Sequence, residues 1–354
     1  MIRTSLSSTV RGLGRPTDHE GSSIVRVILS ILITLVTLMI AALAWLTLRF
    51  RRNRRRSDEA WVSLKPQTLD IGQVRRLRVT PLVEWRTANE QLTGEAGVSY
   101  LVEADGTTLL FDVGLNGRRE HPSPLLRNAA ALGVELSRLD AVVISHLHTD
   151  HVGGMSHQRS RTFALSAEPV DLSGVTAYVP EPMSHPTAQI EVVEEPCVIF
   201  PGVASIGPIP AALFFLGWTP EQALAVNVTG KGIVLIVGCG HQGVRRIVER
   251  AEALFSDPMH GLVGGLHFPV TASREVRLGL PLQRFLGTGR PPWSPLGKED
   301  VQAAIAYLQR WRLNLLALSA HDSCDWSLSA FREAFGSSFQ EVAVGRAIVV
   351  EEEG

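Results

Sequence analysis

The chain has 354 residues, which is long enough to build a large hydrophobic core without covalent cross-links. Its three cysteines form an odd and sparse set, which excludes a disulfide framework and favours a reducing compartment for the folded part. Ten of the 34 basic residues but only two of the 35 acidic residues lie in residues 1–56. The rest of the chain is therefore acidic, and it lacks the positive charge that a nucleic-acid partner requires.

Residues 27–48 form an uncharged, mostly apolar run of 22 residues between Arg26 and Arg49. As a helix, this run would span about 33 Å, enough to cross the hydrocarbon core of a bilayer. Trp45 lies near one end, where indole rings favour the membrane interface. A cleaved secretory signal is the alternative, but the run is longer than a usual signal core and its small-residue pair, residues 42–44, lies inside it. The run predicts a single transmembrane helix, with the lipid bilayer as its partner.

Arginines flank both ends of this run, and six of them follow it within residues 49–56. The positive-inside rule therefore predicts a single-pass membrane protein whose folded domain is cytoplasmic. The predicted order is an N-terminal tail (1–26), the transmembrane helix (27–48), a basic flank and linker (49–75) and a catalytic domain (76–354).

The first half of the predicted domain is rich in strands. Alternating polar and apolar residues predict a strand over 76–80, and residues 97–103 and 107–112 flank a tight turn as in a β-hairpin. The next predicted elements are a helix over 124–132, a short buried strand over 140–145 and several short strands within 160–225.

The second half alternates strand and helix. Strands are predicted over 232–237, 261–264, 313–319 and 342–350, and helices over 244–255, 300–311 and 327–335. Residues 269–297 hold five prolines and four glycines, so we expect an irregular segment that is either a lid or an exposed linker. Most candidate site residues follow a strand directly, which is where open sheets place their sites.

The strongest chemical signal is a cluster of four donors within six residues: His146, His148, Asp150 and His151. Imidazole nitrogen and carboxylate oxygen are common ligands of zinc and similar ions. Alternate residues of an extended loop point the same way, so His146 and His148 can share one ion while Asp150 and His151 turn toward a second. The density of donors after an apolar strand argues against a polar loop of ordinary histidines.

The stretch Ser145-His-Leu-His-Thr-Asp-His-Val-Gly-Gly154 resembles the signature of the metallo-β-lactamase superfamily. Residues 110–114 resemble its first motif. The later pieces resemble one branch, the 7,8-dihydropterin-6-methyl-4-(β-D-ribofuranosyl)aminobenzene-5′-phosphate synthase-like proteins. They are Pro201-Gly202, residues 207–210 and 221–224, Gly238-Cys-Gly-His-Gln-Gly243 and Gly264-Gly-Leu-His267. The resemblance covers residues 77–350 and implies an αββα sandwich with a one- or two-metal site at one edge.

The resemblance also implies roles for single residues. His146 and His148 match ligands of a first metal, and Asp150 and His151 match ligands of a second. Asp150 also matches the group that accepts a proton during catalysis. The remaining matched positions are His241 and His321 as further ligands and Asp112 as a residue that orients ligands without binding metal.

The chain departs from the superfamily pattern in two places. The usual third histidine after Pro201-Gly202 is replaced by Val203, and the usual bridging aspartate is absent, with Cys239 near its place. Cys239 is either a ligand or a packed thiol, and we place it beside the ligands. His267 is expected to line the site as a ligand or substrate contact. His157 and His185 are expected at the surface.

These features predict a metal-dependent hydrolase acting on an ester, lactone or phosphoester-type bond of a small molecule, because metal ions lower the pKa of bound water toward neutrality. The expected cofactor is Zn²⁺, one or two ions, with iron and manganese as alternatives. No other cofactor is expected. A pterin-related condensation enzyme is one alternative function, and a membrane-tethered ligand sensor with a degenerate metal site is another. The sequence indicates no oligomeric state.

Overall fold

The structure, a computed structural model, describes residues 18–64, 67–274, 276–277 and 280–353. Its first element is one long helix, α1 (Asp18–Ser63). The apolar side chains over residues 27–43 are exposed, and this helix is long and apolar enough to be a candidate membrane span. Residues 1–17 of the predicted tail lie outside the described residues.

The chain divides into two compact units after Leu48. Residues 49–75 were expected to be a basic flank and linker, but residues 49–63 continue α1 and belong to the same unit as the domain. Within that unit Phe50 and Ser57 are buried. Sequence patterning did not indicate this helical segment, because most of residues 49–56 are arginine and show no apolar periodicity.

The domain contains two large sheets and two short hairpins. The first part of the chain supplies β1 (Arg76–Val83), β2 (Ser99–Ala104), β3 (Thr107–Phe111), β4 (Ala141–Val143), β5 (Thr176–Val179) and β6 (Gln189–Val192). The middle supplies β7 (Cys197–Phe200), β8 (Val203–Ser205), β9 (Ile209–Leu213), β10 (Gly217–Glu221), β11 (Leu224–Val228) and β12 (Gly232–Val237). The last part supplies β13 (Met259–Gly264), β14 (Val276–Arg277), β15 (Leu280–Pro281), β16 (Leu315–Leu318), β17 (Phe339–Glu341) and β18 (Ile348–Glu351).

Each large sheet has an antiparallel part and a parallel part. The first sheet runs in the order β18-β1-β2-β3-β4-β5-β6 and is parallel from β3 to β6. The second runs in the order β17-β16-β13-β12-β11-β8-β7 and is parallel from β17 to β12. The central parallel strands are buried on both faces, as in the apolar run of β12, where all six residues are buried.

The helices that follow α1 are α2 (Pro124–Ala131), α3 (Met155–Ser160), α4 (Val244–Leu254), α5 (Leu282–Leu286), α6 (Lys298–Gln309) and α7 (Asp325–Phe335). Two 3₁₀ turns, Leu136–Arg138 and Gly336–Ser338, complete the helical elements. In α4 the buried residues Val244, Ile247, Val248, Ala251 and Leu254 recur at helical spacing, so one face packs on a sheet.

Three buried clusters define four layers. One joins α4, α6 and α7 to the second sheet, one lies between the two sheets, and one joins α2 to the first sheet. This arrangement confirms the predicted αββα sandwich.

Two predictions for single elements were wrong. Of the strand expected over 342–350, only residues 348–350 form a strand, within β18, because the chain turns at Gly345, where φ is +79°. The irregular segment expected over 269–297 contains α5 and the short β14–β15 hairpin. Residues 275, 278 and 279 of that segment lie outside the described residues.

Candidate metal centre

The predicted site residues meet at one edge of the sandwich, beyond the carboxyl ends of parallel strands. Asp112 follows β3, the histidine loop of residues 145–151 follows β4, and Cys239 follows β12. His267 follows β13 and His321 follows β16. Parallel strands bring their carboxyl ends to one edge, so residues far apart in sequence converge there.

Three imidazoles form the first group, which we call the histidine triad: His146, His148 and His241. The His146 Nε2 lies 3.0 Å from the His148 Nδ1, which lies 3.1 Å from the His241 Nε2. Nitrogen ligands of a tetrahedral zinc ion are about 3.3 Å apart, given zinc–nitrogen bonds of about 2.0–2.1 Å. His241 therefore stands where the third histidine, missing at Val203, was expected, while Val203 is buried in the core.

A second group, the mixed-donor group, consists of Asp150, His151, Cys239 and His321. Its four ligand atoms lie within 4.8 Å of one another. The His151 Nε2 lies 3.0 Å from the Cys239 Sγ and 3.6 Å from the Asp150 Oδ2. The His321 Nε2 lies 3.3 Å from the same sulfur. Nitrogen, oxygen and sulfur donors thus surround one point.

Cys239 belongs to both groups, since its Sγ also lies within 4.8 Å of the ligand atoms of His146 and His241. It thus stands between the histidine triad and the mixed-donor group. Burial raises the pKa of the Cys239 thiol well above its ordinary value. Cation binding would displace the thiol proton, because a thiolate is the form that ligates metals.

The imidazoles are oriented by oxygen acceptors outside the centre. The Ser145 hydroxyl donates to Asp112 and lies 2.9 Å from the His146 Nδ1. The His151 Nδ1 lies 2.7 Å from the Asp112 carboxylate, and the His241 Nδ1 lies 2.8 Å from the Gly287 carbonyl. In His146 and His241, whose pKa values are lowered by burial, the outer nitrogen therefore donates its N–H and the inner nitrogen presents a lone pair to the centre. Burial alone would lower the pKa of His151, but Cys239, Asp112 and Asp150 raise it well above its ordinary value, so its inner nitrogen carries a proton that a bound cation would displace.

Burial sets the charge of the centre. It lowers the pKa of His148 to about 4 and the pKa values of His146 and His241 well below their ordinary value, so the triad is neutral at physiological pH. Burial alone would raise the pKa of Asp150, but the neighbouring His151 holds it below the ordinary range. Several neutral imidazole nitrogens in mutual contact, with a carboxylate beside them, suit a divalent cation.

Asp112, predicted to orient ligands, is fully buried behind the histidine loop. Its carboxylate accepts hydrogen bonds from the Ser145 backbone N–H and side chain, both at 2.7 Å. Its backbone φ is +61°, a strained value for a residue with a side chain. Gly238 lies against this pair, since a Cβ there would meet the Ser145 Oγ at 2.4 Å.

Sequence reasoning placed Glu221, which ends β10, in a branch motif but assigned it no role. Its carboxylate accepts three backbone N–H groups, from Cys239 at 3.0 Å, Gly240 at 2.7 Å and His241 at 2.8 Å. Burial raises the pKa of Glu221 to about 7 despite these bonds. One side chain thus fixes the turn that carries two candidate ligands.

Glu84, which follows β1, was missed. The Ser319 hydroxyl donates to the Glu84 carboxylate and contacts the His321 Nδ1, which turns the His321 Nε2 toward the centre. Tyr100 donates to the same carboxylate. Burial raises the pKa of Glu84 to about 7. The available signal for Glu84 was a single carboxylate after an apolar run, which patterning alone does not mark as functional, and the signal for Glu221 was its place in the branch motif of residues 221–224.

His267 lies at the border of the centre. Its ring centroid is 4.6 Å from that of His241, and burial lowers its pKa to about 4. Its backbone N–H donates to Asp322, while its Nδ1 is buried without a hydrogen-bond partner among the described residues. A φ of +53° places its backbone in a strained region, which is common at functional sites.

A cavity of about 310 Å³ opens onto these groups. Its floor includes His148, Asp150, Cys239, His241 and His267. Arg119 supplies a cation to its lining. The cavity is large enough for a small organic molecule. His157 and His185 do not line it, and both are partly exposed, as expected.

Comparison with known proteins agrees with this geometry. Residues 92–180 match the family model of the metallo-beta-lactamase superfamily. The chain is similar to the 7,8-dihydropterin-6-methyl-4-(beta-D-ribofuranosyl)-aminobenzene-5'-phosphate synthase of Methanocaldococcus jannaschii, with 23% identity over 241 residues, 56% of this chain and 80% of that protein. The superfamily and branch resemblance predicted from the motifs is confirmed.

Two further similarities cover different parts of the chain. A ribonuclease Z of Mycolicibacterium gilvum is 33% identical over 99 residues, 28% of this chain and 29% of that protein. The crystal structure of a metal-dependent hydrolase of the beta-lactamase superfamily is 19% identical, with a TM-score of 0.54, and covers 78% of this chain and 100% of that one. At this identity the second similarity shows the fold.

Proposed function

We propose that this chain hydrolyses an ester, lactone or phosphoester-type bond of a small molecule, because residues 92–180 match the metallo-beta-lactamase superfamily model and the chain shares the fold of a metal-dependent hydrolase of that superfamily. We further propose that residues 27–48 anchor it in a membrane and that the domain is cytoplasmic. The acidic balance of residues 57–354 favours a small molecule over nucleic acid as substrate.

The observation that carries this proposal is the orientation of the imidazoles. His146, His151, His241 and His321 each have their outer nitrogen in contact with an oxygen atom and their inner nitrogen facing the centre. Inner nitrogens that approach one another at 3.0–3.1 Å would repel unless a cation or proton lies between them. The donor set therefore fits a resident metal.

A bound divalent cation supplies an activated water at neutral pH and polarises the bond to be cleaved. The chain's own groups do the rest. Asp150 is ionised and lies at the cavity floor, where it can accept a proton from the attacking water. Hydroxide adds to the acyl carbon or phosphorus, the bond to the leaving oxygen breaks, and the leaving oxygen receives the proton.

The donor chemistry favours zinc. Imidazole, carboxylate and a central thiolate together suit Zn²⁺, and a thiolate disfavours manganese, which prefers oxygen ligands. Two groups that share Cys239 support two ions, with the histidine triad as one site and the mixed-donor group as the other. Iron remains the alternative metal.

Metal analysis and a substrate panel test this function. Full-length protein purified in detergent should contain zinc by mass spectrometry and should hydrolyse at least one of a p-nitrophenyl ester, an aliphatic lactone and bis-p-nitrophenyl phosphate. Chelation should abolish the activity and zinc should restore it. Metal-replete protein that is inactive on the whole panel would overturn the hydrolase proposal.

A pterin-related condensation enzyme remains the second candidate, because the similarity to the dihydropterin synthase extends over 80% of that protein. Product analysis with a dihydropterin and a phosphorylated ribosyl donor separates the two reactions. The sensor alternative depended on an incomplete ligand set, and the position of His241 in the triad favours an enzyme over it.

A further inference from the structure

Exposed apolar side chains line the cavity and the hairpin turn beside it. We call Met155, Phe215, Leu216 and Trp293 the apolar rim; they are 48%, 36%, 43% and 60% exposed. Met155 and Leu216 line the cavity itself. The Trp293 ring centroid lies 5.3 Å from that of Phe214, the residue before Phe215. Single exposed apolar residues are ordinary, but several close to one cavity indicate an apolar ligand or surface.

Two residues of the apolar rim, Phe215 and Leu216, lie in the turn of the β9–β10 hairpin, residues 214–216. Arg49 donates to the carbonyl oxygens of Phe214 at 3.2 Å and Phe215 at 2.7 Å. The Phe50 ring centroid lies 5.5 Å from that of Phe214. Residues 49 and 50 therefore hold the turn that supplies Leu216 to the cavity wall.

Further contacts fix the same helical segment along the hairpin. The Arg56 guanidinium lies 4.2 Å from the centroid of the Trp218 ring, and the Ser57 hydroxyl donates to the Pro210 carbonyl at 2.6 Å. Ser57 is buried, so this segment is part of the domain rather than a loose tether. It also carries the arginine cluster, whose charge complements anionic lipid head groups.

Covalent connection links this surface to the candidate membrane span. Arg49 is bonded to Leu48, the last residue of the uncharged run. The Phe215 carbonyl that binds Arg49 belongs to the residue adjacent to Leu216, which lines the cavity. The turn that supplies Leu216 to the cavity wall therefore binds the residue that directly follows the uncharged run.

The interior of the cavity matches a molecule with two unlike ends. Its apolar wall consists of Leu115, Met155, Leu216, Leu282 and Leu286, while the candidate ligands form its floor. A short polar ester would contact the floor and leave this wall in contact with water. An apolar chain laid along the wall would remove both surfaces from water.

We propose that the substrate is a membrane-resident amphiphile, whose apolar chain lies against this wall and whose ester or phosphoester bond reaches the metal centre. The proposal rests on the proposed function. Water is consumed in the reaction: its hydroxyl joins the acyl carbon or phosphorus, and its proton goes to the leaving alcohol. The apolar rim lies against the lipid and lets the chain enter the cavity without crossing water.

A homologous series of p-nitrophenyl esters, from acetyl to dodecanoyl, tests this in the full-length protein reconstituted in lipid nanodiscs. Each methylene covered by the wall should raise kcat/KM by about fourfold. Leu216→Ser should lower the ratio of dodecanoyl to acetyl activity by at least tenfold. Val198→Ser is the matched control, because Val198 is equally exposed, at 42%, but does not line the cavity.

The outcomes separate this inference from the proposed function. Hydrolysis of every ester with no gain from chain length, or with a preference for acetyl, would overturn the amphiphile and leave the hydrolase standing. Inactivity on the whole series would instead count against the hydrolase proposal, and the position of the rim then needs a measurement that does not use activity.

Quenching of tryptophan fluorescence by brominated lipid provides that measurement. The difference between the wild type and Trp293→Phe isolates the emission of Trp293, and acyl-chain bromines should quench it in nanodiscs. Equal emission of this component in brominated and ordinary lipid would show that Trp293 lies in water, and it would overturn the placement of the apolar rim against the bilayer.

Discussion

The two halves of the candidate centre are built in different ways. One half, the histidine loop, delivers His146, His148, Asp150 and His151 from a single segment after β4. The other half delivers Cys239 and His241 after β12 and His321 after β16. The loop is held by one carboxylate, that of Asp112, whereas the second half depends on two, those of Glu221 and Glu84.

The two halves also differ in the solvation free energy that is lost by the carboxylates that hold their ligands. Asp112 lies behind the loop and contacts Ser145 and His151 at 2.7 Å. Glu221 and Glu84 support the second half, and burial raises the pKa of each carboxyl group to about 7. Each of these carboxylates has therefore lost favourable solvation by water. Retaining these buried carboxylates lowers the stability of the fold, but it fixes the positions of the candidate ligands.

Removing a ligand of the loop should have the largest effect. His148→Ala deletes the nitrogen in contact with both His146 and His241. We expect activity to fall by more than about 100-fold, the upper end of the loss seen when only an outer-shell partner is removed. Steady-state kinetics and zinc analysis of the purified protein measure it.

His260→Ala is the matched control for His148→Ala. His260 lies in β13 at the end opposite His267 and away from the cavity. Its removal should leave zinc content and activity within about twofold, as for surface substitutions away from a site. Retention of full activity by His148→Ala would refute the assignment of the triad.

Cys239→Ser tests whether the two halves share one ligand. Serine keeps the size of the side chain but offers a poor zinc ligand, so we expect zinc content to fall toward one ion and activity to fall by about 10- to 100-fold. Cys197→Ser, in β7 and far from the donors, should change neither quantity. Two tightly bound ions in Cys239→Ser would show that the sulfur merely packs between the groups.

The two halves also differed in how far sequence predicted them. The clustering of the loop's four donors was predicted, because they lie within six residues after an apolar strand. His241 and His321 were anticipated only through the family resemblance. The central position of Cys239 and the roles of Glu221 and Glu84 were not, because they depend on where β10 and β1 end in space relative to β12 and β16. Sequence spacing carries no such distances, whereas the alternation of strands and helices was sufficient for the layers of the fold.

Glu221→Gln should weaken the second half without touching a ligand. The amide retains one acceptor oxygen but presents an NH₂ group to one of the three backbone N–H donors. We expect zinc affinity to fall by about 10-fold, the lower end for an outer-shell partner. Competition with a chromogenic chelator measures it, and Glu249→Gln on the surface of α4 is the control. Unchanged affinity would mean that the turn holds its shape without the carboxylate.

The smallest expected effect is on the pH dependence of the free energy of unfolding of the metal-free protein. His267 has a folded pKa of about 4 against an ordinary value of 6.5, so the unfolded chain binds more protons between these pH values. The stability contributed by this residue therefore rises with pH across that window and is lost as the pH falls. Glu84 and Glu221, with pKa values raised to about 7, act in the opposite direction between pH 4.5 and 7.

His267→Gln isolates one of these opposing contributions. It should lower the slope of unfolding free energy against pH by at most about 1.4 kcal/mol per unit between pH 4.5 and 6.5, the value for one proton. Urea unfolding of chelator-treated protein at several pH values measures the slope. His260→Gln should change it less, because the His260 ring is only half-buried. An identical slope for His267→Gln and the wild type would mean that His267 is hydrated in the metal-free protein, and that the second half of the centre opens when its cation is removed.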